Sequence, residues 1–450
     1  MFTRVSFLLM AAFGDADRRL ISAHLEDLVG SAAMGGPSTL ASRLIRFAVE
    51  EELAGRGADI HEKLVGEAAL GRRPGYDTKL DRIASVIKAK LVAERLPAYY
   101  NSDGARQRVR FGLATKGFRA QIEILPERLS RTAALRYLRG LRAYDERSPA
   151  GLHVAAQELE AGLDEAGGHA ESFALLADLY ATLANFGSDP RLVMPLAETY
   201  SRQAIALDPR SWRGHVALAS VIASVHHDWE SVERHLEIAL EVNAAETRAH
   251  PWYNALLVAR GRAAEAAAEM EQIVYERIDL LRVPIVRADL ALMLMAAGQL
   301  EQAEHVATEL LADGASSLFF HLHAGLVCAA QHRFQDAIDH MQIARQHPGG
   351  LALVPSWEAY CHGRLGNQSE AERLRQEVER GSGWISCFFR SAAAVGVGQF
   401  EEAIALLEQG LRDGEPLLLW AGSWPFYEPL RQNPAFRALL NRNGLRTNTN

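Results

Sequence analysis

From residue 133 onward, apolar side chains recur at intervals of three and four positions, a pattern that predicts amphipathic helices almost without interruption. Within this region one short sequence motif recurs. It consists of a turn residue, usually an apolar residue two positions later, and an alanine three positions after that. The turn residues are Gly298, His332, Gly366 and Gly398, and the alanines are Ala303, Ala337, Ala371 and Ala403. The alanines lie 34, 34 and 32 positions apart, so the pattern predicts a repeated structural unit.

A period near ~34 residues, with small side chains where two antiparallel helices meet, is typical of the tetratricopeptide repeat (TPR). We predict a mainly α-helical chain with about eight helix pairs, which form a right-handed α-solenoid over residues 133–415. The predicted pairs span about 133–166, 170–207, 211–242, 250–279, 284–313, 317–347, 352–380 and 384–412. The segment 416–450 is rich in aromatic residues and proline, and we expect it to cap the open end of the array.

Before the array, the pattern changes to three short helices and a hairpin. The predicted helices span about 38–53, 61–69 and 78–100, and the two strands span 109–113 and 118–122. Lys116-Gly117 forms the predicted turn between the strands. Three helices and a terminal hairpin are the outline of a winged helix-turn-helix, which we assign to residues 38–126, with residues 1–37 as an N-terminal extension.

The charge of the chain is unevenly distributed. The net charge is −8, but residues 1–125 carry +4 and residues 126–450 carry −12. Within residues 69–120, 12 Lys and Arg stand against 4 Asp and Glu, a net charge of +8. A basic segment joined to an acidic array predicts two separate functions, and the basic segment is the candidate for binding nucleic acid.

Cysteine usage and hydropathy favour a cytoplasmic location. Cys328, Cys361 and Cys387 form no CxxC pair, which is typical of a reducing compartment. No apolar run reaches the ~18–20 residues of a membrane helix, so we expect no membrane partner. Residues 1–13 weakly resemble a signal peptide, since a short apolar stretch follows Arg4. The alternatives are an additional helix or a start codon placed too early.

Four stretches together suggest a family. They are Leu44–Gly57 (LIRFAVEEELAGRG), Gly71–Asp81 (GRRPGYDTKLD), Tyr99-Tyr100 and Phe426–Leu440 (FYEPLRQNPAFRALL). The chain resembles a bacterial family that joins an N-terminal winged-helix domain, related to the effector domains of response regulators, to a C-terminal TPR array. The resemblance implies transcription regulation. The chain departs from that family in the third helix, which has Ser85 and Ile87 and fewer arginines, and in the turn Leu113–Gly117.

If the N-terminal domain binds duplex DNA, its third helix enters the major groove and its hairpin contacts the backbone or the minor groove. The candidate contacts are Lys79, Arg82, Lys88, Lys90, Arg95, Arg108, Arg110, Lys116 and Arg119. Such side chains bind mainly phosphates, and the affinity they provide falls with salt. The alternative interpretation is a solvated helix and an edge strand whose charges discourage aggregation.

The second candidate site is the concave face of the array, which the first helix of each pair lines. By the repeat register, this groove includes Ile285, Leu292, Met295, Phe319, Leu322, Leu326, Tyr360 and Phe388. An apolar groove favours an amphipathic helix of a protein or peptide partner, or self-association into a homo-oligomer. The alternative is that some of these residues are core between neighbouring repeats.

No combination of residues predicts an enzyme. His61-Glu62 lacks the second histidine of a zinc-protease helix, and His321 and His323 lie two positions apart on a helix, which directs their rings away from each other. No phosphate-binding P-loop motif occurs. We therefore expect no catalytic residue, no metal and no cofactor.

Two hypotheses for function follow from these patterns. The leading one is a DNA-binding transcriptional regulator whose array binds a protein partner or mediates self-association. The alternative is a non-enzymatic TPR adaptor or scaffold whose winged helix no longer binds DNA. A third and more distant hypothesis is a regulatory subunit of an enzyme.

Overall fold

The structure is a computed structural model, and it describes residues 15–105, 107–124, 129–146, 148–166, 168–185, 187–277, 284–313, 318–347, 350–380 and 384–448. Contacts divide the chain into two compact units, residues 1–128 and residues 129–450.

The first unit consists of helices followed by a hairpin. Its helices are α1 (Asp15–Gly30), α2 (Leu40–Leu53), α3 (Glu62–Leu64), α4 (Ile83–Lys90) and α5 (Leu96–Tyr100), with a 3-10 turn at Gly57–Asp59. A π-helical turn continues α3 over Val65–Ala69, and another continues α4 over Leu91–Arg95. The strands β1 (Val109–Leu113) and β2 (Ala120–Ile124) pair antiparallel, with Val109 opposite Ile124 and Leu113 opposite Ala120.

One hydrophobic core joins the elements of the first unit. The side-chain oxygen of Thr39 accepts a hydrogen bond from a backbone N–H in the first turn of α2 and so determines where that helix begins. Leu44 and Ile45 of α2 are fully buried in the same cluster as Leu20 and Ile21 of α1. Because these side chains share one cluster, α1 is part of the core that the later helices and the hairpin also build.

The described residues of the second unit form eight consecutive helix pairs. The pairs are α6 (Arg131–Asp145) with α7 (Pro149–Ala166), α8 (Ala170–Asn185) with α9 (Pro190–Leu207), α10 (Trp212–Val221, extended by a wider turn over Ile222–His226) with α11 (Trp229–Ala249), α12 (Pro251–Ala259) with α13 (Ala263–Glu276), α14 (Pro284–Ala296) with α15 (Leu300–Ala312), α16 (Leu318–Ala330) with α17 (Phe334–Arg345), α18 (Gly350–Arg364) with α19 (Gln368–Arg380), and α20 (Cys387–Gly396) with α21 (Phe400–Asp413).

The recurring sequence motif forms the turn between the two helices of a pair. Its first residue has a left-handed backbone in every copy, with φ of 78° at Gly298, 62° at His332, 82° at Gly366 and 80° at Gly398. Glycine adopts this conformation without steric cost, whereas histidine does so under strain. The closing alanines are each 0% exposed, at positions Ala303, Ala337, Ala371 and Ala403. A mainly helical chain that contains TPR-type pairs is therefore confirmed, and the handedness of the superhelix stays a prediction.

The C-terminal segment packs on earlier repeats as well as on the last pair. It comprises 3-10 turns at Pro416–Trp420 and Pro425–Leu430, the helix α22 (Pro434–Arg442) and the tail to residue 448. The backbone N–H of Arg446 donates to the carbonyl oxygen of Ala259 at 2.9 Å. The indole N–H of Trp229 donates to the carbonyl oxygen of Asn443, also at 2.9 Å and 214 positions away in sequence. The segment thus lies against α11 and α12, in the third and fourth pairs.

Candidate functional sites

The nine cations proposed to contact DNA comprise four exposed residues, four that are bound within the first unit, and Arg108, which is intermediate. Lys79, Arg82, Lys90 and Lys116 are exposed, and each is available to a ligand. Arg108 is half-buried beside β1 and makes further interactions within the chain. The remaining four are bound to other parts of the first unit.

Lys88 is one of the four bound residues and holds the turn of the hairpin. Its ammonium donates to the carbonyl oxygens of Ala114 at 2.7 Å, Thr115 at 3.0 Å and Gly117 at 2.7 Å. It also lies 5.4 Å from the centre of the Phe118 ring. Burial lowers the pKa of Lys88. All three N–H donors of the ammonium are therefore used within the unit. Lys88 has no free donor for the DNA contact that the sequence predicts.

Three arginines are used in a similar way. Arg119 forms a bidentate ion pair with Glu52, with N–O distances of 2.8 and 2.7 Å. Arg110 lies 4.2 Å from the centre of the Tyr100 ring and donates to two backbone carbonyls. Arg95 donates to the Met34 carbonyl oxygen. These contacts stabilise the unit and occupy hydrogen-bond donors that DNA phosphates would need, and Glu52 also neutralises the charge of Arg119.

The predicted recognition helix also exposes apolar side chains. Val86 is 57% exposed and Val92 is 42% exposed, and Leu80, just before the helix, is 87% exposed. Apolar exposure is a poor match for a phosphate backbone, whereas it is typical of surfaces that contact protein.

The predicted partner groove is closed in the structure. Seven of the eight groove residues are buried, with Ile285 at 8% and Phe388 at 1% exposed, and Leu292 is partly buried. The physical reason is that Trp420, Trp424 and Phe426 of the C-terminal segment pack in one hydrophobic cluster with most of these side chains, whereas Ile285 packs in a separate small cluster with Ala288 and Leu310. An open apolar groove at these positions is thus replaced by two cavities that share no described lining residue.

The first cavity, here called the aromatic cavity, has a volume of about 130 Å³. It is lined by Ile285, Leu292, Phe319, Leu322, Leu326 and Phe388 of the predicted groove. The other walls include four of the seven tryptophans of the chain, Trp252, Trp357, Trp420 and Trp424. The cavity is therefore a joint product of the repeats and the C-terminal segment.

The second cavity, here called the arginine concavity, has a volume of about 1340 Å³ and includes Met295 and Tyr360 of the predicted groove. Six arginines line it, namely Arg260, Arg262, Arg364, Arg431, Arg437 and Arg446. Two carboxylates, Glu265 and Glu428, line it as well. The concavity thus carries a positive charge within a unit whose net charge is negative.

Four of these arginines have no carboxylate partner among the described residues. Arg364 stacks on the Phe334 ring at 5.6 Å, Arg437 donates to a backbone carbonyl at 3.4 Å, and Arg446 donates to the side-chain oxygen of Asn441 at 2.8 Å. The Nε of Arg431 is buried and has no hydrogen-bond partner there. By contrast, Arg262 pairs with Glu265 at 2.5 Å. The sequence pattern does not indicate this group, because Arg364 lies in the array whereas Arg431, Arg437 and Arg446 lie in the segment expected to cap it.

A buried ion-pair network holds the first helices of successive pairs together beside the aromatic cavity. Oδ2 of Asp178, on α8, is 2.8 Å from Nε2 of His250 and 3.0 Å from Nη1 of Arg213. Burial acts to raise the pKa of Asp178, but the charges and hydrogen bonds of His250 and Arg213 outweigh it, so the pKa is lowered. His250 directly precedes Pro251 and Trp252, which line the aromatic cavity.

Within the part of the chain that the structure describes, no group of three or more His, Cys, Asp or Glu side chains is placed to hold a metal ion. The three cysteines are buried and free, and burial raises the pKa of each thiol. No described helix is both long and apolar enough to cross a membrane.

Comparison with known proteins gives weak similarity only. No family model and no curated protein matches the sequence. The solved structures that resemble the chain include yeast Tom70 (13% identity, TM-score 0.38, covering 95% of this chain and 90% of that one) and a human IFIT1 dimer with PPP-AAAA (14%, 0.39, 93% and 94%). Another is pilF of Pseudomonas aeruginosa (16%, 0.34, 47% and 90%). Similarity at these TM-scores is too low to support a conclusion about this chain, and the TPR assignment rests on its own helix pairs and turns.

Proposed function

We propose that the chain is a non-enzymatic adaptor that binds an acidic segment of a partner protein in the arginine concavity. The observation that carries this proposal is the convergence of Arg364, Arg431, Arg437 and Arg446, none with a carboxylate partner among the described residues, on one concave surface. Arginine side chains bind carboxylates through paired N–H donors, and an unpaired set favours an anionic ligand.

An acidic protein segment fits this surface better than a nucleic acid does. Residues 126–450 carry 29 Lys and Arg against 41 Asp and Glu, so a long polyanion leaving the concavity would meet repulsion. Single-stranded nucleic acids also require exposed aromatic faces for base stacking. Of the described aromatic residues that line the concavity, Tyr360 and Phe426 are buried at 3% and 1% exposure, which leaves a single exposed ring, that of His332.

The first unit, in this proposal, is a winged-helix relative that serves as a second protein-contact module. After α1, the helices α2 and α3, the continuous helical stretch from α4 to α5 and the hairpin have the order expected of that fold, which supports the assignment. The internal bonds of Lys88, Arg95, Arg110 and Arg119 and the exposed Val86 argue against the DNA-binding role. A cytoplasmic location remains part of the proposal.

The test is fluorescence anisotropy of the full chain with a short labelled peptide of alternating Glu and Leu, its Lys counterpart, and duplex DNA. We expect the acidic peptide to bind and the basic peptide not to bind. The double variant Arg364→Gln/Arg437→Gln should weaken acidic-peptide binding about tenfold, since two exposed charge pairs contribute about 0.7 kcal/mol each. The matched control is Arg202→Gln/Arg412→Gln, which removes the same charge outside the concavity and should leave binding unchanged.

Two outcomes would overturn the proposal. One is acidic-peptide binding that the Arg364→Gln/Arg437→Gln variant leaves intact. The other is salt-dependent DNA binding that a Lys79→Gln/Lys90→Gln variant weakens, which would support the transcriptional regulator instead.

A further inference from the structure

The aromatic cavity contains polar atoms that the fold leaves without hydrogen bonds. Among the described residues, neither Nε1 of Trp357, Nε1 of Trp424 nor Nδ1 of His323 has a partner. The two tryptophans are 1% and 2% exposed, and all three residues line the cavity. Buried polar groups are nearly always paired, and an unpaired one destabilises the fold, so three around one void indicate a site that a ligand completes.

The charge of the lining favours a cation. Asp289 is the one carboxylate among the nineteen described lining residues, and no Lys or Arg lines the cavity. His323 is neutral at pH 7, because burial lowers its pKa to about 4. The remaining walls include four indoles and three Phe rings, whose faces attract organic cations when water is excluded.

The rings form one continuous group. The ring centres of Trp357 and Phe388 are 5.8 Å apart, those of Phe388 and Trp424 are 5.3 Å apart, and those of Trp420 and Trp424 are 5.4 Å apart. Trp420 and Trp424 come from the C-terminal segment, whereas Trp357 comes from α18. The site therefore exists only when the segment is packed on the repeats.

The volume limits the size of the ligand. The cavity measures about 130 Å³, and an engineered cavity of about 150 Å³ accommodates benzene. A ligand of about five to seven non-hydrogen atoms therefore fits. This size excludes nucleotides and peptides.

We propose that the aromatic cavity binds a compact quaternary ammonium compound that carries an oxygen acceptor. The cation lies against the indole faces near Asp289, and the oxygen accepts a hydrogen bond from an unpaired indole N–H. Choline has this chemistry and this size, and it is the probe for the test.

The first measurement is a titration of the full chain with choline, followed by tryptophan fluorescence and by calorimetry. The matched probe is 3,3-dimethyl-1-butanol (here dimethylbutanol), in which a carbon atom replaces the choline nitrogen and the shape is kept. We expect saturable binding of choline, at least about tenfold tighter than that of dimethylbutanol, because the cation–aromatic and carboxylate attractions are present only for choline. Equal affinity for the two probes, or no binding of choline, would overturn the proposal.

Variants assign the binding to the cavity. Asp289→Asn should weaken choline binding about tenfold and leave dimethylbutanol binding unchanged. The control Asp313→Asn removes an exposed carboxylate at the end of α15 and should change neither. Ala255→Leu, which extends a lining side chain into the void, should abolish binding of both probes, with circular dichroism confirming the fold. Choline binding that survives Ala255→Leu at full strength would place the site elsewhere and refute the inference.

Discussion

Asp178→Asn is the most informative change to the array, since one carboxylate links three elements. Asp178 is 0% exposed, and its Oδ2 accepts from both His250 and Arg213. Asparagine keeps the size but removes the charge, so the largely buried guanidinium of Arg213 loses its nearer counter-ion and keeps only the more distant Glu171, at 3.9 Å. Breaking a buried pair by removing one partner costs about 3–5 kcal/mol, because an uncompensated charge remains inside.

This free energy can be expressed as a shift in melting temperature. The unit that contains the network runs from Leu129 to Asn450. At about 2.1 cal/mol/K per residue, its entropy of unfolding is roughly 0.7 kcal/mol/K near the transition. A loss of 3–5 kcal/mol therefore lowers the melting temperature by about 4–7 °C in differential scanning calorimetry.

The control is Glu370→Gln, which breaks the exposed pair between Glu370 and Arg373. Both side chains are substantially exposed, at 41% and 55%, so the expected loss is about 0–1 kcal/mol. The reasoning is refuted if Asp178→Asn shifts the transition no more than this control does.

The effect of pH gives an independent check. Because the folded-state pKa of Asp178 is lowered, the stability it contributes is fully present above the unfolded pKa and is lost as the pH falls through the folded value. The difference between wild type and Asp178→Asn should therefore be constant near neutrality and shrink below about pH 4. A difference that grows in acid would contradict the assignment of the charged form.

Two further changes test individual parts of the fold. His332→Gly should stabilise the array by about 0.5–1 kcal/mol, because glycine occupies the same left-handed turn position in three other repeats without strain. The measurement is the urea midpoint of unfolding. A lower midpoint for this variant would show that the contact between the His332 and Phe334 rings contributes more than the strain costs. Lys88→Met removes the donor to three carbonyl oxygens of the hairpin turn, of which those of the exposed Thr115 and Gly117 regain water, so the expected cost is about 0.5–1.5 kcal/mol. The measurement is faster amide hydrogen exchange at residues 113–118, with Lys90→Met as the exposed control; unchanged exchange in Lys88→Met would refute the role of the ammonium.

The repeats could be predicted from sequence because their determinants are local. A left-handed turn residue, a following helix start and a buried alanine lie within six positions of one another, and each copy repeats the same steric requirement. The hairpin was predictable for a similar reason, since alternation in Val109–Leu113 directly reflects which side chains face the core.

The sites were less predictable, because charge and exposure depend on partners distant in sequence. Lys88 and Lys90 look alike in the sequence, yet one is bound by carbonyls 26 to 29 positions away and the other is exposed. All eight residues of the predicted groove line one of the two cavities. The accessibility of the groove residues depends on where the aromatic residues of the C-terminal segment pack. The repeat period of the sequence does not predict that position.

By itself, the sequence determined the helical repeats, their turns and the division of charge between the two parts of the chain, since these follow from local sterics and composition. Only the tertiary structure decided that the C-terminal segment packs inside the array, that four tryptophans surround one cavity, and that unpaired arginines converge on another. The physical reason is that large aromatic side chains are buried wherever complementary surface exists. In this chain that surface lies up to 214 positions away, as the bond between Trp229 and Asn443 shows.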